Sequence, residues 1–278
     1  MEKHIKLSFQ SLTELFAYTQ KVHGNEKASE RIKESDFNCF QNWQTCRAAA
    51  LTGWPEGLAK VKALSEALLQ KVGSGMLKET YAPCETGLFF DVGLVLSGEP
   101  EAWLEVSQTE ETAKGTKLVT IGLNCTVSCV IEAKVIRQRG AAVLALVQLL
   151  EQAGRSVCVK VGIGVDGKGG NKDYSLEASL TLKGFGEALD ADKLAFWLVS
   201  EDAFRRCFFR VMEASPIWEG LGAKAGLGYG SVKDSWLPEG TDIGLGGLRY
   251  GGGDDWTESK TEAWIKGQLQ AQGVTIAE

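Results

Sequence analysis

Two segments near the middle of the chain alternate apolar and polar residues with a period of two, the pattern of a half-buried β-strand. The first carries valine or isoleucine at every second position from Val157 to Val165. The second carries leucine or alanine at every second position from Leu176 to Leu182. The link between them, residues 166–173, is too short for a crossover helix. The two strands are therefore expected to pair as an antiparallel hairpin.

A strand and a long helix are predicted immediately before this hairpin. Lys117 to Leu123 is a short apolar run of strand type, and Ile131 to Ala153 has helical character. Apolar residues recur within that helix at i, i+3, i+4 and i+7, namely at Val143, Leu146, Val147 and Leu150. Since Leu144 and Ala145 extend the apolar surface almost all round, the helix is expected to be buried. The predicted fold is α/β, a mixed sheet with a β-α-β-β core flanked by helices.

The flanking segments predict further helices and a strand. Ser11 and Glu14 have the spacing of a capping box, which predicts a short N-terminal helix. Two helices are expected between residues 37 and 72, separated at Gly53-Trp54-Pro55, and residues 89–96 are expected to form a strand. Helices are also predicted over 192–199, over 201–214 and from about 257 to Gly273.

Three parts of the chain are distinguished on this basis. Residues 1–36 are expected to be a helical extension, and residues 37–219 the α/β core domain. Residues 220–278 are expected to pack on that core as a glycine-rich segment and a C-terminal helix. Because 12 of the 33 glycines lie in residues 220–253, that stretch is either a long loop ordered by Trp236 and Leu237 or a flexible segment.

Composition and charge favour a protein of the cytoplasm over a membrane or DNA-coating protein. The net charge is −6 and the isoelectric point about 5.2, which disfavours a surface that neutralises many phosphates. The chain opens on polar residues without a signal peptide, and its longest apolar stretch, residues 140–150, is too short to cross a bilayer. No membrane partner is expected.

The cysteines predict free thiols in a reducing compartment. Their number is odd and none stands in a C-x-x-C pair; they are Cys39, Cys46, Cys84, Cys125, Cys129, Cys158 and Cys207. His4 and His23 are the two histidines of the chain, so a zinc site would be hard to furnish. Neither histidine lies near a candidate nucleophile in the sequence, and the sequence contains no nucleophile elbow motif.

Glycines 162, 164 and 167 match G-x-G-x-x-G, but a phosphate site is not expected there. A phosphate cradle needs its glycines in the turn between a strand and a helix, so that helix N-terminal amides face the phosphate. Here Gly162 and Gly164 lie inside a predicted strand, and another strand follows.

One polar constellation has a possible role in metal binding. Asn124, Thr126 and Ser128 follow the strand that ends at Leu123 and precede the buried helix. Their spacing resembles the D-x-S/T-x-S motif of von Willebrand factor A-like domains, which implies a Mg²⁺ site built from side-chain oxygens. The order of helix, strand and antiparallel strand also agrees with that family. Asparagine replaces the first carboxylate, so a degenerate site is expected; alternatively, Asn124 and Thr126 cap the helix.

Several stretches together resemble a domain of unknown function found in tailed bacteriophages, prophages and plasmids. They are residues 42–57, 90–93, 97–100, 139–146, 151–154, 192–196 and 204–209. The resemblance spans roughly residues 37–275. It implies a mobile-element protein that acts inside a bacterial cell, and it carries no catalytic residues to transfer.

Three functions are open on the sequence alone. The leading hypothesis is a non-enzymatic protein, with no cofactor, that binds a host or phage protein. The second is single-stranded nucleic-acid binding through tryptophans and the basic residues Arg205, Arg206 and Arg210, although these arginines also suit a solvated helix face. The third is a metal-dependent enzyme centred on Asn124, Thr126 and Ser128, with Asp91 as a further ligand.

Overall fold

The computed structural model describes residues 3–21, 39–73, 81–84, 89–90, 92–97, 102–106, 117–128, 131–169, 172–218, 231–249 and 256–276. The strands in these residues are β1 (Lys3–Phe9), β2 (Tyr81–Cys84), β3 (Phe89–Phe90), β4 (Trp103–Val106), β5 (Leu118–Asn124), β6 (Ser156–Gly169), β7 (Lys172–Lys183), β8 (Ser231–Val232) and β9 (Ile243–Leu245). The α-helices are α1 (Leu12–Tyr18), α2 (Trp43–Thr52), α3 (Pro55–Gly73), α4 (Val92–Ser97), α5 (Ala133–Gln152), α6 (Ala191–Val199), α7 (Phe209–Ala214) and α8 (Glu258–Ala271). A π-helical turn, Ala203–Phe208, leads directly into α7.

The main sheet is mixed, with six strands in the described part of the chain. Its order is β1-β7-β6-β5-β9, and β8 pairs with the far end of β6. The strands β5 and β6 are parallel and joined through α5, whereas β6 and β7 form an antiparallel hairpin. The predicted β-α-β-β core is confirmed.

The helix α5 lies in the middle of a helical layer on one face of this sheet. It contacts α3, α6 and α8, and it is buried from Arg139 to Val147 without interruption. A Cβ at Gly140 would come within 2.3 Å of Val199 Cγ1, so a glycine is needed where α5 and α6 cross most closely. The apolar residues of β6 and β7 belong to the same core cluster as this layer.

Both terminal parts of the chain contribute strands to the main sheet, which the sequence pattern did not predict. Within residues 1–36, β1 pairs in parallel with β7, and the predicted helix follows as α1 with Ser11 as its N-cap. Within residues 220–278, β9 pairs in parallel with β5. The sheet is therefore completed by residues far apart in the sequence.

One predicted strand is only partly correct. Residues 89–90 form β3 in a separate antiparallel sheet with β4 and β2, but residues 92–97 are the short helix α4. A short apolar run does not by itself distinguish a strand from a helix.

Within the described ranges, none of the helices combines the length and the apolar character needed to cross a bilayer.

Candidate functional site at the end of strand β5

The loop after β5 lies at the carboxyl end of this strand, between its parallel neighbours β6 and β9. The chain leaves β5 through α5 to reach β6 on one side, while β9 lies on the other side of β5. In open α/β sheets, ligands bind outside the carboxyl ends of the strands. The residues predicted as a metal site, Asn124, Thr126 and Ser128, all lie here.

The side chain of Asn124 is fully buried and bonded to backbone on both of its polar atoms. Its Nδ2 donates to the carbonyl oxygens of Lys233 at 2.8 Å and Trp236 at 3.1 Å, with a longer contact of 3.4 Å to that of Asp234. Its Oδ1 accepts from the backbone N–H of Thr126 at 3.0 Å. Asn124 therefore fastens residues 233–236 to the end of β5.

The alternative prediction, that Asn124 and Thr126 cap the buried helix, is wrong. The helix α5 begins at Ala133, and its N-cap residue is Glu132, which makes no side-chain capping hydrogen bond. The chain between Thr126 and Ala133 is long enough to separate the two features, so the polar side chains at the end of β5 bond to the loop instead.

The loop is also joined to the chain that follows β9. The N–H of Leu248 donates to the carbonyl of Thr126 at 2.8 Å, and the N–H of Ser128 donates to the carbonyl of Leu248 at 2.9 Å. A Cβ at Gly247 would lie 2.1 Å from Thr126 Oγ1, so the two segments touch. Thr126 Oγ1 is buried and has no hydrogen-bond partner among the described residues. The crevice between β5 and β9 is thus filled by the protein itself.

A buried arginine supplies the positive charge in this crevice. Arg139, on the first turns of α5, is 2% exposed, and its guanidinium donates to the carbonyl of Gly246 at 2.9 Å. Burial raises the pKa of the neighbouring Cys125 thiol to about 12, against the opposing effect of the Arg139 charge. The sequence pattern does not predict that Arg139 lies in this crevice, because an arginine on an apolar helix belongs to no ligand motif.

These residues do not fit a Mg²⁺ ion. Hard cations prefer oxygen ligands that carry carboxylate charge, whereas the oxygen of Asn124 accepts from the Thr126 N–H and a guanidinium lies nearby. In the described ranges no group of three or more His, Cys, Asp or Glu side chains is placed to hold a metal. Asp91, named as a further ligand, lies outside the described residues.

The segment fastened by Asn124 crosses the face of the sheet opposite to the helices. The ring of Trp236 lies on Gly162 and Gly164 of β6, where a Cβ would come within 2.8 Å and 2.7 Å of the tryptophan. Thr241 lies against Gly122 of β5 in the same way. The glycines of the G-x-G pattern therefore make room for an indole. Of the glycine-rich stretch, residues 231–249 include β8 and β9 and pack on the sheet through Trp236, whereas residues 220–230 and 250–253 lie outside the described residues.

Charged residues lie on the same face of the sheet as Trp236, because alternation places Lys160 and Asp166 of β6 on either side of Gly162 and Gly164. Lys233 Nζ lies 3.1 Å from Asp166 and 3.3 Å from Glu177, and it donates to Ser175 Oγ at 2.9 Å. On the other side, Lys160 Nζ donates to the carbonyl of Glu239 at 2.9 Å. Trp236 itself remains partly exposed. The result is an aromatic side chain in a rim of paired charges.

The predicted basic group Arg205, Arg206 and Arg210 is not an exposed patch, and neither is it a solvated helix face. Arg206 and Arg210 are 0% and 4% exposed, and Arg205 is intermediate. The spacing of four residues puts Arg206 and Arg210 on one face, which packs toward α2. There the guanidinium of Arg206 donates to the carbonyl of Phe40 at 2.6 Å, and that of Arg210 lies 4.7 Å from the centroid of the Trp43 ring.

Among the described residues, the thiols and a cleft beside α6 add no second cluster of reactive groups. Cys39, Cys46, Cys125, Cys158 and Cys207 are free, as predicted; the side chains of Cys84 and Cys129 lie outside the description. A cleft of about 560 Å³ opens between the end of β7 and the start of α6. Its lysines are paired, Lys183 with Glu151 at 2.7 Å and Lys193 with Asp190 at 3.1 Å.

Comparison with known families gives one match. The model of the domain of unknown function DUF7192 matches residues 1–276, and the chain belongs to that family. No curated protein and no solved structure matches the chain.

Proposed function

We propose that this DUF7192 member is a non-enzymatic protein of a phage, prophage or plasmid that docks a host or phage protein inside the bacterial cell. The proposed docking surface is the sheet face that carries Trp236 and its rim of paired charges. The likeness of residues 42–57 and 139–146 to the proteins of mobile elements supports the setting. The surface is supported by the geometry at the end of β5.

The observation that carries the proposal is the set of hydrogen bonds made by Asn124. Its amide holds the backbone of Lys233 and Trp236 on the sheet, and Arg139 holds Gly246 in the same crevice. The polar groups at the end of β5 therefore hold a surface segment in place. A segment held in this way loses little conformational freedom when a partner binds, which favours affinity.

Trp236 has the properties of an interface anchor. Tryptophan is enriched among the residues that dominate binding energy, especially where polar groups around it exclude water. The ring lies on Gly162 and Gly164. The ion pairs that Lys233 makes with Asp166 and Glu177 belong to the charged rim on the same face. A partner that covers the exposed part of the indole would bury apolar area without unpairing these charges.

The strand order supports a comparison with A-like domains. The succession β5, α5, parallel β6 and antiparallel β7 agrees with von Willebrand factor A-like domains, a scaffold used mostly for binding. The proposal takes over the binding role of that scaffold without its metal, since Asn124 and Arg139 do not suit a cation.

The two alternative functions have less support. Nucleic-acid binding would use Arg205, Arg206 and Arg210, two of which are buried. A metal-dependent enzyme would use Asn124, whose amide is bonded to backbone carbonyls.

The test compares two tryptophan variants in affinity capture. The unmodified chain, Trp236→Ala and Trp264→Ala are tagged and exposed to lysate of a host that carries the element, and captured proteins are quantified by mass spectrometry. Trp264 is a matched control because it is also partly exposed and packs on another aromatic residue, Trp256, at 5.3 Å. Trp236→Ala should reduce capture of the specific partner by more than about tenfold, with Trp264→Ala unchanged.

Two outcomes would overturn the proposal. Equal capture by the unmodified chain and by Trp236→Ala would exclude the surface. Failure of the unmodified chain to enrich any protein over the tag alone would exclude the docking role.

A further inference from the structure

The strand β1 lies at one end of the main sheet, and in the described part of the chain only β7 pairs with it. The pairing is continuous from Lys3, opposite Tyr174, to Phe9, opposite Leu180. A regular edge strand presents a row of backbone N–H and C=O groups to which another strand can bond. The outer side of β1 is therefore a template seven residues long.

The pattern of β1 is the same for two residues in each direction from Lys6. Ile5 and Leu7 flank it and pack partly against the core. His4 and Ser8 come next, and both are exposed on the face that alternation assigns to Lys6. In an antiparallel pair of two β1 strands with Lys6 opposite Lys6, Ile5 would face Leu7 and His4 would face Ser8. Over these five residues apolar side chains meet apolar ones and polar side chains meet polar ones, while at the ends of the strand the exposed Lys3 would face the buried Phe9.

This register is favoured over its neighbours. Centring the pair on Ile5 or on Leu7 also keeps each face intact, but it leaves the residues at one end of β1 without a partner. Centring on Lys6 pairs the whole strand from Lys3 to Phe9, so it forms the largest number of backbone hydrogen bonds.

The like charges at the centre are compensated within each chain. Lys6 Nζ lies 2.7 Å from Glu239 Oε2, and Lys160 holds the backbone carbonyl of Glu239 at 2.9 Å. Two lysines brought together would therefore arrive with two carboxylates, which removes the repulsion expected of an unpaired Lys–Lys contact. The lysine that would otherwise protect this edge is neutralised.

We propose that two copies of this chain associate through β1, antiparallel and centred on Lys6, to form one continuous sheet. The interface is isologous, so it closes at two copies. The helical layers of both copies lie on the same side of the joined sheet, and both Trp236 surfaces lie on the other. The association does not depend on the proposed docking function.

The experiment combines mass with site-specific cross-linking. Sedimentation equilibrium over a range of concentrations should give twice the 30.0 kDa of the chain at the upper end. In the proposed register the Cα atoms of the two Lys6 residues are about 4.5–5.5 Å apart, within the span of a disulfide of roughly 4.4–6.8 Å. The two Ser8 residues are about 14 Å apart along the strands.

Oxidised Lys6→Cys should therefore form a covalent dimer on a non-reducing gel, whereas Ser8→Cys and the unmodified chain should not. A chain that stays monomeric at every concentration overturns the proposal. A dimer that is linked through Ser8→Cys, or through neither variant, overturns it as well, because another surface or register would then hold the copies together.

Discussion

Asp202 Oδ1 accepts a hydrogen bond from Arg206 Nε at 2.7 Å, and neither side chain is exposed to solvent. The second oxygen of Asp202 accepts from the N–H of Cys39 at 2.7 Å, and Arg206 donates to the carbonyl of Phe40 at 2.6 Å. The pair thus binds residues 39–40 from both sides, and it joins them to the π-helical turn. These buried charges therefore fix the position of residues 39–40, immediately before α2.

Removal of Arg206 should be strongly destabilising. Arg206→Leu leaves the Asp202 charge buried without its partner, and breaking such a pair costs about 3–5 kcal/mol. Urea unfolding measures the change in the free energy of unfolding. Lys62→Ala is the control, because its ion pair with Glu66 at 3.8 Å is exposed and is worth less than about 1 kcal/mol. An effect of Arg206→Leu no larger than the control would contradict the role given to the pair.

Stability should fall as the pH rises from about 4.5 to about 7, because of Glu201. This carboxyl is 2% exposed, and its Oε1 has no hydrogen-bond partner in the described ranges. Burial raises the pKa of Glu201 from 4.5 to about 7, and the charge of Asp202 raises it further. The backbone N–H of Glu201 and the charges of Arg137 and Arg205 oppose the rise. Between pH 4.5 and pH 7 the folded state therefore keeps a proton that the unfolded state has lost. The contribution of this proton to folding stability is complete below pH 4.5 and is lost as the pH rises through 7.

Glu201→Gln checks this prediction, since glutamine has the same shape and no titration. Relative to the unmodified chain, the variant should gain up to about 3 kcal/mol between pH 4.5 and pH 8. Chemical unfolding at several pH values measures it. A difference between the two chains that does not change with pH would show that Glu201 titrates normally.

Gly164→Ala should displace Trp236 from the sheet. The added Cβ would lie 2.7 Å from Trp236 Cγ, and such overpacking costs typically 1–3 kcal/mol. Gly267→Ala is the matched control: in α8 a Cβ would meet nothing within 4 Å, and alanine should stabilise the helix by up to about 1 kcal/mol. Thermal unfolding and near-ultraviolet circular dichroism report the two effects. Equal stability of both variants would mean that the indole is not seated as described.

The local patterns predicted the centre of the fold because each is determined by neighbours in sequence. Alternation from Val157 to Val165 and the apolar surface of residues 131–153 gave the hairpin and the buried helix. The pairing of β1 with β7 and of β9 with β5 depends on contacts between distant residues, and short strands such as Ile243–Leu245 carry no period long enough to detect. A register shift at Val159 and Lys160 further places Lys183 in the buried layer, although alternation assigns it to the polar face.

The sequence predicts the position of the candidate site but not its hydrogen bonds. Polar residues that follow a strand indicate Asn124, whereas side-chain spacing does not show which atoms accept and which donate. The carbonyls that surround its amide come from residues 233–236, more than a hundred positions along the chain. Arg139 and Trp236 complete the arrangement, and neither belongs to a motif.

Hydrogen exchange of Asn124→Ala tests most directly whether Asn124 holds residues 231–249 on the sheet. Loss of its amide removes the donor to the carbonyls of Lys233 and Trp236, a cost of roughly 1–3 kcal/mol. Amides from Ser231 to Leu248 should then exchange about ten- to hundredfold faster, while β6 and β7 keep their protection. Unchanged protection of residues 231–249 in a variant that is otherwise folded would show that other contacts hold this segment in place.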